Sequence, residues 1–359
     1  MIASSFSIPR GKEEEWRFTP LRRLRGLHSD ASFGGGKVTV EVDADRVSAR
    51  ALDAAAEVTV IDVPAGAEST RPTWVTVRGE DDSEAAAGHL VINVGENGRA
   101  VVVVEYTGAA TYADNVEFVV GDGGALTAVS LQQWDASAVH LSYQRARVGK
   151  DARISHTAFS VGGSVVRVAP SVRFAGPGGE AELRGVYFAD AGQHLEHRLL
   201  VDHAAPNCKS RVSYKGALAG AGAHGVWIGD VLIRPEATGT DTYEYNRNLV
   251  LTDGTRVDSV PNLEILTGEV LGAGHASASG RLEDIHLFYL MARGIPFERA
   301  RRLVVRGFFG DLIGQIEVAE LRDRLMAAIE DELAELPSPP LASGRGAMPE
   351  TAPRPRRLR

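Results

Sequence analysis

The sequence predicts a mainly β protein with an α-helical C-terminal domain, and three observations carry this prediction. From about Arg99 to Leu266, runs of β-branched residues recur, most of them closed by Gly, Asn or Asp. The chain contains 39 glycines, as expected where many turns join short strands. After Gly280 the apolar residues recur at three- and four-residue spacing, which is the helical period.

The N-terminal segment mixes aromatic and charged residues. In EEEWRFTPLRRL, residues 13–24, the apolar side chains are Trp16, Phe18, Leu21 and Leu24. We therefore expect a short N-terminal arm over residues 1–32 that packs these side chains on the following domain. Strands are predicted next at Lys37–Val42, Glu57–Asp62, Thr73–Val77 and His89–Val94. The Ala-rich and acidic stretches 51–56 and 80–87 are predicted as short helices or loops.

The β-rich core is predicted to span residues 33–281. Short strands with frequent turns fit a sandwich, a barrel or a parallel β-helix, and periodicity does not choose among them. Tight hairpin dipeptides are absent at most of the turns, which favours a solenoid slightly.

Residues 282–336 are predicted to form the helical domain. One helix spans Leu282–Arg293, a second begins after Pro296, and a third spans Val318–Leu333. Gly307 and Gly310 lie inside the second helix and indicate a close approach or a break there. The Pro-rich, basic residues 337–359 are predicted to be a disordered tail.

Composition bounds the function. The net charge of −8 over 359 residues argues against a nucleic-acid-binding protein. A single cysteine, Cys208, excludes an intramolecular disulfide framework and predicts a reducing, cytoplasmic location. No signal peptide is evident, and no apolar run approaches the roughly twenty residues of a membrane span. Walker A, GxSxG, HExxH and CxxC signatures are missing, so no enzyme class is indicated.

The histidines and the cysteine are candidate metal ligands. His194 and His197 form an HxxH, followed by His203 and Cys208. On a strand, however, residues three apart point to opposite faces, so we expect ordinary structural histidines and an inert thiol. His275 differs, because its neighbours are small and glycine-rich and would let another surface approach closely. A neutral imidazole there could bind iron or zinc, although an ordinary loop histidine is the other interpretation.

Several phrases resemble one known family. They are YKGAL at 214–218, AHGVW at 223–227, IRPEATGTDTYEYNRNLVL at 233–251, PNLEI at 261–265, GHASASGRLED at 274–284 and LFYLMARGI at 287–295. Together they resemble the SufB/SufD scaffold proteins of the SUF iron–sulfur cluster assembly machine. The resemblance implies a right-handed parallel β-helix. It favours SufD over SufB, because Ala276 replaces the glutamate that follows the histidine in SufB, and residues 252–260 lack a SufB cysteine.

The resemblance also implies partners and a site. The chain would be a non-catalytic scaffold that pairs with a SufB-like subunit and binds a SufC-like ATPase on its C-terminal helices, through Phe308, Phe309, Leu312 and Ile313. His275 would share a nascent iron–sulfur cluster with SufB across their interface, and the isolated chain would hold no cofactor. Ala273 stands where SufD relatives often have a cysteine, so no thiolate comes from that position. Whether a flavin binds the assembled complex stays open.

Two alternatives remain at this stage. The first is a carbohydrate-active β-helix enzyme resembling a polysaccharide lyase, which needs clustered Asp, Arg or Lys along one solenoid face. The second is a SufB-like or homodimeric scaffold, in which the same edge strands pair two copies of this chain.

Overall fold

A computed structural model describes residues 8–29, 38–43, 50–55, 58–282, 284–316 and 318–336. These residues form a parallel β-solenoid of about eight turns, with a short N-terminal segment before it and α-helices after it. The predicted fold class is confirmed. The predicted domain boundaries at residues 32, 281 and 336 stay predictions, and the predicted tail 337–359 lies outside the described residues.

The strands are, in chain order, β1 Val38–Asp43, β2 Arg50–Ala55, β3 Val58–Val63, β4 Thr73–Val94, β5 Arg99–Val120, β6 Ala125–Trp134, β7 Val139–Val148, β8 Arg153–Gly162, β9 Val165–Phe174, β10 Glu180–Ala189, β11 His194–His203, β12 Lys209–Leu218, β13 His224–Ile233, β14 Thr240–Val250, β15 Arg256–Ile265 and β16 Val270–Arg281. The helices are α1 Asp284–Met291, α2 Phe297–Ile313 and α3 Ala319–Glu335.

From β5 onward the chain alternates between two parallel sheets. Residues 99–108 of β5 pair with β6, whereas residues 111–120 of the same strand pair with β7. The even sheet then continues through β8, β10, β12, β14 and β16, and the odd sheet through β9, β11, β13 and β15. Ala125, Arg153, Glu180 and Lys209 occupy the same place in successive turns. These in-register parallel ladders identify a β-solenoid among the three architectures that periodicity left open.

The four predicted N-terminal strands lie within β1, β3 and β4, apart from Lys37 and Glu57, which are outside the described residues, but two stretches between them differ from the prediction. Residues 50–55 form β2, which pairs antiparallel with β3, and residues 80–87 lie within the single long strand β4. Both stretches were predicted as helices or loops from their Ala-rich and acidic composition, and this prediction was wrong. The reason is tertiary, because β4 pairs with β5 along most of its length and this pairing overrides a weak local preference.

The hydrophobic core fills the space between the two sheets. It includes large buried side chains such as Phe174, Tyr187, Tyr214 and Trp227. Because successive side chains of a strand point to opposite faces, every second side chain faces outward, and the apolar ones there need a separate cover.

The helices cover the outer face of the even sheet. Phe309, Leu312 and Ile313 of α2 are buried in one cluster with sheet residues such as Phe159 and Val186. The Nζ atom of Lys215 donates to the Phe308 carbonyl at 2.7 Å and to the Asp311 carboxylate, and so fastens α2 to the sheet.

The three predicted helices are present. Pro296 stands immediately before α2, as its fixed φ favours. Gly307 and Gly310 lie within the continuous helix, and a Cβ atom at either position would meet nothing within 4 Å. The predicted break or close approach was therefore wrong. Among the described residues, no helix is long and apolar enough to cross a membrane.

The N-terminal arm covers part of the outer face of the odd sheet. Leu24 and Leu27 are buried against Val139, Leu141 and Val165, with Trp16 and Leu21 packed beside them. Phe18 lies outside this cluster, with the Arg17 guanidinium 5.2 Å from its ring centroid. The arm therefore packs its apolar side chains on the solenoid as the sequence predicts, apart from Phe18.

Candidate functional site

The C-terminal end of the solenoid is open. β16 pairs with β14 and β15 pairs with β13, and each is the last strand of its sheet. Among the described residues, neither strand has a partner on its other edge, so both present a row of unpaired backbone groups. An exposed edge of this length is a template for pairing with another chain.

The register places His275 next to a buried carboxyl group. On β16, His275 is the Cα partner of Glu244 on β14. Glu244 is 1% exposed, whereas His275 is exposed because no further turn covers β16. The two residues are distant in sequence, so the solenoid alone brings them to neighbouring positions.

Glu244 has no hydrogen-bond partner among the described residues. Both of its carboxylate oxygens are buried and unpaired, and burial, with a smaller contribution from the charge of Asp230, raises its pKa to about 8. A Cβ atom at Gly229 would lie 2.4 Å from Oε2, so the glycine makes room for the carboxyl group. A buried carboxyl without a donor either stays protonated or takes a cation as its partner. Sequence reasoning missed Glu244; its signal was a charged residue at an inward position of a buried strand.

Polar side chains continue from this point to the open end. Asn246 accepts hydrogen bonds from Asn248 and from the Ser259 hydroxyl, the latter at 2.7 Å. Ser277 in turn donates to Ser259 at 2.8 Å. The buried hydrogen bonds of Asn246 and Asn248 thus form a polar ladder inside the last turns.

Exposed apolar side chains border the same end. Ile265 and Leu266 are 43% and 49% exposed at the end of β15, and Leu271 on β16 is 82% exposed. Apolar side chains beside unpaired strand edges are typical of a protein–protein contact surface.

The other predicted metal-ligand candidates are separated from one another. His194 and His197 lie on opposite faces of β11, as the strand geometry predicts. His194 contacts Glu196, whereas His197 stacks on Tyr187 of the core. His197 contacts the Ser160 hydroxyl at 3.0 Å and His203 contacts Ser210 at 2.9 Å, and burial lowers their pKa values to about 3 and about 4. Burial also raises the pKa of the Cys208 thiol, as expected of an inert cysteine. Within the described part of the chain, no three His, Cys, Asp or Glu residues are grouped to hold a metal ion.

The residues predicted to contact an ATPase lie mostly beneath the helices. Phe309, Leu312 and Ile313 are buried against the chain's own sheet, and Phe308 is half-buried with its ring 5.0 Å from that of Phe309. Their apolar stripe is thus satisfied within the chain, and their role in a partner interface stays a prediction. Exposed apolar side chains on the helices occur elsewhere, at Phe288, Tyr289, Met291 and Leu303.

Comparison with known proteins finds similarity to one family. A model of the family "SUF system FeS cluster assembly, SufBD core domain" matches residues 76–308. An iron–sulfur cluster assembly SufBD family protein of Mycobacterium tuberculosis is 53% identical over 358 residues, covering 92% of this chain and 90% of the relative.

Two relatives come from Mycobacterium leprae, and both carry the name iron–sulfur cluster assembly SufBD family protein. One is 52% identical over 358 residues, which cover 91% of its length. The other is 28% identical over 203 residues, which cover 56% of this chain and only 23% of that protein. One organism thus has two SufBD family proteins that differ greatly in their similarity to this chain.

Proposed function

The chain belongs to the SufBD family of the SUF iron–sulfur cluster assembly system, and on this premise we propose that it is a SufD-like scaffold subunit. It pairs with a SufB-like subunit, binds a SufC-like ATPase, and has no catalytic turnover of its own. Its location is the cytoplasm, which the single cysteine predicts. The family gives no support to the polysaccharide-lyase alternative.

The SufD-like assignment rests on two features. Ala276 follows His275, and residues 252–260 contain no cysteine, so the chain lacks features expected of SufB. The second, more distant SufBD protein of Mycobacterium leprae supports a longer counterpart as the partner.

The observation that carries the pairing proposal is the open end of the solenoid. The unpaired edges of β15 and β16 could continue their ladders into a second solenoid, and the exposed Leu271 would be buried in that contact. Strand addition supplies backbone hydrogen bonds, and the apolar border adds burial, so both contributions favour a partner of the same fold.

The nascent cluster is the cargo of this interface. His275 lies at its edge, and one imidazole cannot complete a tetrahedral iron site. The neighbouring Glu244 could add a carboxylate from this chain, and a thiolate would come from the partner. A flavin, where one is used, would belong to the assembled complex.

The ATPase would bind the exposed surface of the helices. Phe288 and Tyr289 on α1 present large apolar side chains to solvent, 70% and 57% exposed. Because Lys215 fastens α2 to the even sheet, a movement imposed on the helices would reach the sheet that ends in β16.

Co-expression with SufB-like and SufC-like subunits tests the pairing. Leu271→Lys should weaken SufB-like binding by roughly tenfold or more, about 1.4 kcal/mol, while ATPase binding persists. Leu200→Lys, at a 40% exposed position of β11, is the matched control and should bind both partners normally. Wild-type SufB-like affinity of Leu271→Lys would contradict the pairing proposal.

A second variant separates the two partners. Phe288→Asp should reduce ATPase binding and leave SufB-like binding unchanged, because it changes a different surface. Native mass spectrometry of the chain alone tests the homodimer alternative. A stable dimer that Leu271→Lys dissociates would support self-pairing through the same edges.

A further inference from the structure

Two imidazoles face each other on the outer surface of the odd sheet. Nδ1 of His194 on β11 lies 3.0 Å from Nδ1 of His224 on β13, and the ring planes are 73° apart. His194 is buried, and the side chain of His224 is 17% exposed. The pair lies neither on β15 or β16 at the open end nor on the exposed helix surface around Phe288 and Tyr289.

The remaining nitrogen of each ring contacts a carboxylate. Nε2 of His194 lies 3.0 Å from Oε2 of Glu196, and Nε2 of His224 lies 2.7 Å from Oδ2 of Asp258. Burial raises the pKa of both carboxyls, but other contributions outweigh it and lower both pKa values. For Glu196 these are the hydrogen bond from His194 and the charge of Arg167, and for Asp258 they are the hydrogen bonds from Arg256 and His224. An ionised carboxylate only accepts hydrogen bonds, so both Nε2 atoms must donate.

This arrangement determines how many protons the two rings need. A neutral imidazole has one N–H, so two neutral rings donating through Nε2 would face each other with two lone pairs at 3.0 Å. One extra proton between the Nδ1 atoms makes that contact a hydrogen bond, whereas two extra protons would oppose two cations. We propose that His194 and His224 share one proton and that this proton couples the N-terminal arm to the edge strand β15.

The contacts on either side of the pair show what the proton would join. At one end, Thr19 of the arm donates to Glu196 Oε2 at 2.8 Å, and Arg167 donates to Glu196 Oε1 at 2.9 Å. The Arg167 guanidinium also lies 4.4 Å from the Trp16 ring centroid. At the other end, Asp258 belongs to β15, whose outer edge is unpaired. The connected row therefore crosses β9, β11, β13 and β15.

The charged groups around the pair balance one another before the shared proton is added. The charged groups around the pair on the odd-sheet strands and the arm include Glu196, Asp258, Arg167, Arg256, Glu15, Arg198, Asp230 and Arg23. The Arg23 guanidinium donates to the Ser164 carbonyl at 2.7 Å, and the same carbonyl accepts from the His194 backbone N–H. The Arg198–Asp230 pair is internally neutral, and the carboxylates of Glu196 and Asp258 balance the guanidiniums of Arg167 and Arg256. Glu15, 3.7 Å from Arg167, balances Arg23, so the carboxylates of Glu196 and Asp258 that contact the rings are the groups that stabilise the shared proton.

Nitrogen-15 NMR of the histidine-labelled full chain tests the shared proton directly. Over some interval within about pH 5–8, the two rings should hold three N–H protons together, one of them between the Nδ1 atoms. The protection factors of the arm amides, which correct for the intrinsic pH dependence of amide exchange, should be highest in that interval and should fall on both sides of it. The pKa of His224 is lowered, mainly by burial and also by the charge of His194, so loss of protection at low pH should begin below the ordinary imidazole range.

Variants distinguish the shared proton from a purely structural contact. His224→Gln should lower the protection factors of the arm amides several-fold and abolish their maximum within this pH interval. In Asp258→Asn the new amide group can donate to Nε2 of His224. His224 then carries its proton on Nδ1 and can donate it to Nδ1 of His194 without an extra proton. The loss of arm protection at high pH should therefore disappear. His89→Gln is the matched control, because His89 contacts Glu117 at 3.0 Å without a second ring, and it should keep the maximum.

Two results would overturn the proposal. The first is two neutral rings throughout the pH range, with arm protection factors that have no maximum within it. The second is release of the arm by EDTA, which would mean that a metal ion joins the two Nδ1 atoms.

Discussion

The middle and the last turn of the solenoid share one sheet and one register, yet their burial is opposite. β8 lies between β6 and β10, and its side chains from Ile154 to Val161 are all buried. β16 pairs with β14 alone, and from His275 to Arg281 its residues are exposed. The difference comes from the neighbouring turn and the covering elements. The last turn therefore has the construction of an inner turn without its cover, as expected of a surface that awaits a partner.

The largest expected difference between the two regions is in core packing. Phe174 is fully buried between the sheets, so Phe174→Ala should lower the free energy of unfolding by about 3–5 kcal/mol. Leu271→Ala in the last turn should change it by no more than about 0.5 kcal/mol. Urea denaturation followed by circular dichroism measures both. A similar loss for the two variants would mean that the last turn is already covered in the isolated chain.

Acid should destabilise the middle turns through their histidines. Burial lowers the pKa of His156 to about 4 and that of His197 to about 3. An unfolded histidine binds its proton near pH 6.5, so stability is full above that pH and falls progressively as the pH drops towards 4. His197→Gln should remove part of this slope, on the order of a few kcal/mol between pH 7 and pH 4.

The matched variant for the acid experiment is in the last turn. His275 is exposed, so His275→Gln is the control for the loss of a histidine outside the core. Only the slopes are compared, because His197→Gln also changes the packing against Tyr187. Equal slopes for wild type and His197→Gln would contradict the role of the buried histidine.

Some features of the fold and of the candidate site could be predicted from the sequence, and others could not. Local patterns sufficed for the apolar arm around Leu24 and for the helix that begins after Pro296, because caps and periodicity are short-range signals. They failed for residues 80–87, where pairing with β5 produces a strand from Ala-rich and acidic residues. They could not place Glu244 beside His275, since that proximity depends on the length of a whole turn.

The helix stripe is an intermediate case. Its spacing correctly indicated an apolar face, but periodicity does not say what covers that face. In the structure, Phe309 and Ile313 meet the chain's own even sheet. An apolar stripe in the sequence can therefore pack against the chain's own sheet. Exposed apolar residues such as Phe288 identify the surface available to a partner better.

A smaller effect is expected where the helices are fastened to the sheet. Lys215 is buried and donates to Asp311 and to the Phe308 carbonyl. Lys215→Met should therefore lower the free energy of unfolding by about 1–3 kcal/mol. Hydrogen exchange in α2 should accelerate, because the helix loses its polar contact with β12. Lys209→Met, at an exposed position of the same strand, is the control. Unchanged exchange in α2 would mean that apolar packing alone holds the helix.

The smallest effect on stability, and the sharpest effect on function, is expected at His275. Its exposed imidazole buries little, so His275→Ala should change the free energy of unfolding by no more than about 0.5 kcal/mol and leave partner assembly intact. If the imidazole contributes to the nascent cluster, iron and sulfide bound after reconstitution of the SufB-like complex should fall severely. Glu244→Gln should give a partial loss, because it retains the side-chain volume but removes a carboxyl group that could ionise and bind a cation beside the site. His89→Ala, at a half-exposed histidine remote from the open end, should reconstitute normally. Normal cluster content in His275→Ala would remove this residue from the site, while the pairing of the edge strands could still stand.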